Sequence, residues 1–211
     1  MNPAIHHPSW YQAIGAADDA SAQKAASQPD MIVLQQLARI RLGPLDIQCL
    51  PEQWRVSSAS ERDEGAAIEL TVKVFEALNH TPVHAFGLNY IAQNVLEHAT
   101  PQSLASHFAG SPLSPQLDSR AAEFESVTLG YELDALPEID GCSAERRFRS
   151  HVSILTKPKR ILRIAINVHH NIASRNGFAR FDLGRFLRDA VSVRPMVQSH
   201  IDAILQRVAS L

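Results

Sequence analysis

The sequence predicts an α+β protein with an antiparallel sheet of about six to seven strands, one central helix and a C-terminal helical segment. Three observations lead to this class. Short runs of residues alternate between apolar and polar and are separated by turn signals, as in a half-buried antiparallel sheet. One capped amphipathic helix interrupts these runs, and a second helical pattern follows the last of them. Strands and helices do not alternate regularly, which argues against a doubly wound fold.

Composition limits the function classes. The chain has 211 residues, enough to bury a substantial core, and 20 Lys and Arg against 22 Asp and Glu leave a formal charge of −2. Nucleic-acid-binding domains usually have a basic excess, so we expect no nucleic-acid partner. No apolar run approaches the roughly 20 residues of a membrane span, and the first residues do not resemble a secretory signal. These features predict a cytoplasmic protein without a membrane partner.

The N-terminal region has the weakest pattern. Residues 1–30 are predicted to be an arm or linker, and residues 31–211 to form a single α+β domain. Trp10, Tyr11 and Ile14 are expected to pack over the body as a short strand or turn. The rest of the region is rich in small and polar residues without a clear period, which is typical of a surface connector.

Three short strands are predicted next, in residues 31–42, 45–50 and 53–58. Apolar and polar side chains alternate along most of this stretch, so one face of each strand is expected to be buried. Gly43 begins the first turn, and Pro51 breaks the second strand. The pattern indicates an antiparallel meander with one buried face.

A helix is predicted from Glu61 to Leu78. Ser60 can cap its N-terminus, and the carboxylates of the first turn suit the positive end of the helix dipole. Pro82 prevents continuation, because the residue before a proline is pushed out of the helical region. An apolar stripe along the helix predicts packing against a sheet. Its members are Ala67, Leu70, Val74 and Leu78.

The extended run from Val83 to Ala92 is largely apolar on both faces. Such a strand is usually central in its sheet, or is covered on its second face by a partner or ligand. We therefore expect a central or covered strand here.

The second half of the chain continues the sheet. Further strands are predicted at residues 124–133, 146–156 and 161–170. A short helix and loop are expected within residues 101–120, and a hairpin turn at 157–160. The tail is helical from Phe181 onward, and an interior proline costs about 3 kcal/mol, so Pro195 predicts two helical pieces or a kink.

Catalytic and metal-binding signatures are missing from the sequence. It contains no H-E-x-x-H, no finger-like spacing of Cys and His, and no G-x-S-x-G elbow. Two cysteines, Cys49 and Cys142, are too far apart for a local metal-ligand pair. His169 and His170 are adjacent on a predicted strand and so point to opposite faces. We therefore assign no catalytic residue, no metal ligand and no cofactor.

Two asparagines stand inside otherwise apolar strands. A buried amide without a hydrogen-bond partner costs roughly 1–3 kcal/mol. The similar surroundings of Asn89 and Asn167 predict neighbouring strands on which the two amides meet. The alternative is a polar binding pocket, for which the candidate residues are His84, Asn89, Tyr90, Asn167 and His169.

Positive charge gathers in the stretch from Arg146 to Arg163. A solvated hairpin face explains it most simply, and a polyanion-binding surface is the alternative. The basic residues are Arg146, Arg147, Arg149, Lys157, Lys159, Arg160 and Arg163.

The segment from Leu78 to Tyr90 reads Leu-Asn-His-Thr-Pro-Val-His-Ala-Phe-Gly-Leu-Asn-Tyr. It resembles uncharacterised bacterial proteins with a helix followed by T-P-V and A-x-G-x-N. Their antiparallel sheet with a trailing helix is similar to that of the export chaperone SecB. The resemblance implies an oligomeric, non-enzymatic binding protein.

Three functional hypotheses follow. The leading one is a non-enzymatic binding or assembly protein, chaperone-like, that uses an uncovered sheet face or edge to contact a protein partner or another copy of itself. The second is a small enzyme with a composite His/Asn pocket. The third is a polyanion-binding module that uses the hairpin from Arg146 to Arg163.

Overall fold

The structure is a computed structural model that describes residues 1–96, 126–139, 142–155, 160–174 and 183–209. The described residues form an α+β fold with two antiparallel sheets of four strands each. The predicted class is confirmed. The predicted arrangement of six to seven strands in one sheet is wrong, because the described strands number eight and divide equally between two sheets.

The chain divides into two compact units. The first comprises Met1–Pro82 with Arg180–Leu187, and the second comprises Val83–Ala179 with Arg188–Leu211. The division predicted from the sequence, an arm of residues 1–30 and one domain of residues 31–211, stays a prediction.

The sheet of the first unit is a meander in the order β1-β2-β3-β4. Its strands are β1 (Ile32–Val33), β2 (Ala38–Leu42), β3 (Leu45–Leu50) and β4 (Gln53–Ser57). Its helices are α1 (Pro8–Ala13), α2 (Asp19–Ala26) and α3 (Glu64–Ala77). The predicted antiparallel meander is confirmed, with β1 as an additional short strand.

The alternation in β2 and β3 buries one face of this sheet. Ala38, Ile40 and Leu42 are buried, and the two arginines between them are exposed. Leu42 pairs with Leu45 across a two-residue loop. Gly43, with a φ of 57°, occupies the left-handed conformation that such tight hairpin loops require.

Residues 1–30 are largely helical and contribute to the core of the first unit. The Tyr11 side chain is fully buried in the same cluster as Ile40 and Val74. The expectation of a strand or turn around Tyr11 is wrong, because His7 and Pro8 begin a short helix there. The backbone N–H of Ser9 donates to Nδ1 of His7 at 3.3 Å, and Pro8 suits the first helical position.

The predicted helix after β4 is confirmed. A 3₁₀ turn (Glu61–Asp63) leads into α3, and the Ser60 hydroxyl accepts from the backbone N–H of Arg62 at 3.2 Å. Leu70 and Val74 of the predicted stripe are buried against the sheet. The helix ends at Ala77, a few residues before the proline that prevents its continuation.

The sheet of the second unit has the order β5-β8-β7-β6. Its strands are β5 (Ala85–Val95), β6 (Ser126–Ile139), β7 (Cys142–Leu155) and β8 (Ile161–Ser174). The tail forms α4 (Leu183–Val191) and α5 (Arg194–Ala209), so the predicted division into two helical pieces is confirmed. Pro195 is the second residue of α5, where a missing backbone N–H breaks no helical hydrogen bond.

Helix α5 covers one face of the second sheet. Alternate residues of β8 and one face of α5 are buried in a common cluster. The central members are Leu162, Ile164, Ile166, Val168, Val197, Ile201 and Ile204. Burial of such a side chain contributes about 1.5–3 kcal/mol, so this helix–sheet contact is the main source of stability in the second unit.

Among the described strands β5 lies at the edge of its sheet, so the expectation of a central strand is wrong for this part of the chain. Leu88, Tyr90 and Ala92 pack against the core shared with α5. On the other face, Asn89 and Ile91 are exposed. The strand looked apolar on both faces because glycine, alanine and one isoleucine share the exposed face, and those residues do not require burial.

The short helix predicted within residues 101–120 lies outside the described residues, as does the turn predicted at residues 157–160 except for Arg160. Among the helices that the structure describes, none is both long and apolar enough to cross a lipid bilayer.

Candidate functional site

The face of the second sheet opposite α5 is the strongest candidate for a binding surface, and we call it the open face. The strand period of two places alternate residues of β5, β7 and β8 on it. Its apolar end comprises Ile91, Val95, Leu155 and Ile161. Its polar region comprises Asn89, Glu145, Arg147, Arg149, His151, Arg163, Asn167 and His169, and Glu132 of β6 stands directly across from Arg147.

The two asparagines meet at the centre of the open face. Asn89 and Asn167 are paired in register, and Nδ2 of Asn167 donates to Oδ1 of Asn89 at 2.7 Å. A Cβ atom on Gly87 would lie 3.1 Å from Nδ2 of Asn167, so glycine leaves room for this amide. The prediction that β5 and β8 are neighbours whose amides meet is confirmed.

His169 lies beside this pair. Its Nε2 is 2.9 Å from Oδ1 of Asn171, which lies two residues further along the same face. This hydrogen bond orients the half-buried ring of His169 on the open face.

The structure separates the five candidate binding residues. Asn89, Asn167 and His169 share the open face. Tyr90 lies on the opposite face, against the core under α5. His84 precedes β5 and is exposed, and its backbone carbonyl accepts from Ile172 N–H at 2.9 Å.

The basic stretch is also divided between the two faces. Arg147 and Arg149 lie on the open face, and Arg163 lies there on the neighbouring strand. Arg146 points to the other face, where its Nε donates to the backbone carbonyl of Asp134. Among the described residues, no carboxylate forms an ion pair with the three arginines of the open face. The sequence indicated the cluster but not which of its members share a surface.

The apolar end of the open face was not recognised in the sequence. Val95, Ile161 and Leu155 stand side by side on three adjacent strands. Val95 is 50% exposed, Leu155 is 40% exposed, and nearby Ile91 is 53% exposed. Large apolar side chains that are exposed together mark interaction surfaces more often than scattered ones do. The signal in the sequence was their shared parity along each strand, which becomes meaningful only once the register is known.

A second polar feature lies on the buried face under α5. His170 is fully buried and its ring stacks on Phe86, with centroids 4.3 Å apart. Neither ring nitrogen makes a hydrogen bond of good geometry within the described residues. The pKa of His170 is lowered to about 4, chiefly by burial and also by the charge of Arg146, against the opposing effect of the backbone groups of Val168 and Phe86.

The described residues contain one contact between a histidine and a hydroxyl group that bears on catalysis. They contain no group of three His, Cys, Asp or Glu side chains that could hold a metal ion. The Thr128 hydroxyl lies 2.9 Å from Nδ1 of His151 on the open face, a contact also expected of an ordinary cross-strand pair. A nucleophile activated by histidine usually needs a third group to orient the base, and within the described residues none contacts His151.

Comparison of the chain with models of protein families, with curated proteins and with solved structures finds no match. The resemblance to SecB stays a prediction, and the functional argument depends on the geometry of the open face.

Proposed function

We propose that the chain is a non-enzymatic binding protein that uses the open face of its second sheet to contact a protein surface, in the first instance a second copy of itself. The observation that supports this proposal is the apolar end, where Ile91, Val95 and Leu155 are exposed together beside Arg163.

The apolar end of the open face has the composition of an interface centre. Apolar side chains and arginine are enriched at such centres, and the two carboxylates of the open face, Glu132 and Glu145, lie at the other end of the sheet, level with Arg147 and Asn171. A surface for nucleic acid would be more basic and would not need exposed Ile91 and Val95. Complete burial of each half-exposed aliphatic side chain contributes on the order of 1 kcal/mol.

A two-fold symmetric dimer is the simplest arrangement that would bury the apolar end of the open face. In an isologous interface the same patch of both copies is in contact, so the apolar end of one copy would cover that of the other. Amide and guanidinium groups around it would form the polar rim. The same patch could hold apolar segments of other proteins, as the chaperone-like hypothesis requires.

Substitution of Ile91 and Val95 by glutamate tests this proposal. Two carboxylates at the centre of the contact would have to lose their water on association, so dimerisation should weaken at least about a hundredfold. Light scattering coupled to size-exclusion chromatography is expected to show a dimer for the parent at about 10 μM and a monomer for the double variant.

Leu34→Glu is the matched control, because Leu34 is also exposed but lies in the first unit. It should leave the dimer intact. A parent chain that stays monomeric at about 100 μM, or a control that dissociates equally, contradicts the dimer.

A polyanion is the second candidate partner, and it is favoured by the absence of ion pairs at Arg147, Arg149 and Arg163 among the described residues. Each phosphate or sulfate contact releases counterions and steepens the dependence of binding on salt. We expect Arg147→Gln with Arg149→Gln to elute from heparin at a lower salt concentration than the parent. Arg62→Gln, an exposed arginine of the first unit, is the control and should elute with the parent. Failure of the parent to bind heparin at low salt would exclude this candidate.

A further inference from the structure

The solvent face of the first sheet carries a row of three polar side chains. Arg39 pairs with Gln48, and Gln48 pairs with Arg55, so the three side chains stand side by side on β2, β3 and β4. All three are exposed, because the alternate residues of these strands fill the core. Adjacent strands are about 4.8 Å apart, which places the Cα atoms of the two arginines about 10 Å from each other. Their long side chains can therefore converge above Gln48.

A surface depression of about 340 Å³ lies at this row. Its walls are formed by Arg39, Asp46, Ile47, Gln48, Arg55 and Ser57. This volume is at the lower end of the range for small-molecule sites, about 300–1,000 Å³. The depression is therefore large enough for a small metabolite.

The charges around the depression are unbalanced. Asp46 is its one acidic residue, and it is already engaged, because Nε of Arg41 donates to Oδ1 of Asp46 at 2.8 Å. This contact also raises the pKa of Arg41. Within the described part of the chain, neither Arg39 nor Arg55 forms an ion pair. Two unpaired guanidinium groups thus face a depression whose only carboxylate is held by a third arginine.

We propose that Arg39, Gln48 and Arg55 bind the phosphate group of a small phosphate monoester. A guanidinium presents a planar fork of N–H donors that matches phosphate oxygens, and two such forks balance a dianion. The Gln48 amide lies between them and can donate a further N–H to the phosphate.

The remaining wall of the depression indicates the rest of the ligand. Ser57 pairs with Asp46 on the adjacent strand, so its hydroxyl stands beside this carboxylate. Hydroxyl and carboxylate oxygens are suitable partners for the hydroxyl groups of a sugar. The site is therefore predicted to prefer a sugar phosphate to inorganic phosphate. It lies in the first unit and is independent of the function proposed for the open face.

Titration of the full ¹⁵N-labelled chain with ribose 5-phosphate, followed by NMR, tests the site. We expect saturable shifts centred on the backbone amides of Arg39, Gln48 and Arg55, with a Kd of about 1 mM or lower. Inorganic phosphate should shift the same amides but bind about tenfold more weakly, and ribose should not bind measurably.

Arg39→Gln and Arg55→Gln should each weaken the binding of ribose 5-phosphate about tenfold or more, because each removes a charge-assisted contact. Arg62→Gln, an exposed arginine elsewhere in the first unit, should bind like the parent. Absence of saturable shifts up to about 20 mM, or unchanged affinity in both variants, would overturn the site. Equal affinity for phosphate and ribose 5-phosphate would overturn the role assigned to Asp46 and Ser57.

Discussion

Deletion of residues 1–30 is expected to unfold the first unit rather than to release a dispensable arm. Tyr11 is fully buried among residues of β2 and α3, and Ala25 of α2 is 1% exposed in the same cluster. The Tyr11 hydroxyl is 2.8 Å from Nδ1 of buried His6 and accepts from Nε1 of Trp54 at 3.4 Å. Loss of this segment would expose the apolar face of a four-stranded meander to water.

A point substitution gives a graded version of this test. Tyr11→Ala removes a large buried side chain and should lower the free energy of unfolding of the first unit by about 3–5 kcal/mol. Tyr11→Phe keeps the ring and removes only the hydroxyl, and should cost about 1–2 kcal/mol because His6 and Trp54 each lose a partner.

Trp10 and Trp54 both lie in the first unit, so tryptophan fluorescence during urea unfolding reports on it directly. Gln35→Ala, at an exposed loop position of the same unit, is the control and should change the stability by less than about 0.5 kcal/mol. A deletion variant of residues 1–30 that retains a cooperative transition at Trp54 would show that the sheet is stable without its N-terminal helices.

The elements with a strong local signal were predictable from the sequence. The alternation of apolar and polar residues in 38–50 predicted the meander. The cap at Ser60, the apolar stripe and Pro82 predicted α3. The pairing of Asn89 with Asn167 was predicted on the premise that both amides are buried, and the two do meet, although Asn89 is exposed. For the meander and α3, neighbouring residues along the chain carry the information.

The features set by distant contacts were not predictable in the same way. Helix α1 has only six residues, too few to be stable alone, so the burial of Tyr11 in a core formed later in the sequence determines its conformation. The division of eight strands into two sheets depends on pairings between residues far apart, such as Gly87 with His169. The open face follows from those same pairings, which also divide the arginines between the two sides of the sheet.

The second prediction concerns acid stability. The His170 ring is enclosed by Phe86 and lies on the buried face next to Arg146, so the folded chain keeps it neutral. Its pKa is lowered to about 4 in the folded state, against about 6.5 in an unfolded chain. Between these two values the unfolded state binds a proton that the folded state does not bind, so stability falls as the pH falls through this window. Above pH 6.5 the ring of His170 is mostly neutral in both states, so this loss of stability is absent. The loss by pH 4 is about 2 kcal/mol after allowance for solvent screening.

His170→Phe is therefore expected to stabilise the second unit, and increasingly so at low pH. Phenylalanine has a similar shape, continues the stack on Phe86 and leaves no ring nitrogen without a hydrogen bond. We expect the variant to exceed the parent by about 1 kcal/mol at pH 7, from the removed polar group, and by about 3 kcal/mol at pH 4. Hydrogen exchange of the β8 amides measures this difference in the second unit.

His80→Gln, at an exposed position, should leave the exchange of the β8 amides like that of the parent. His6 is buried in the first unit with a pKa also lowered to about 4, mainly by burial, so the tryptophan transition should keep its acid sensitivity in the variant. A variant of His170 with the same pH dependence of exchange as the parent would show that this histidine is not the group that titrates on unfolding.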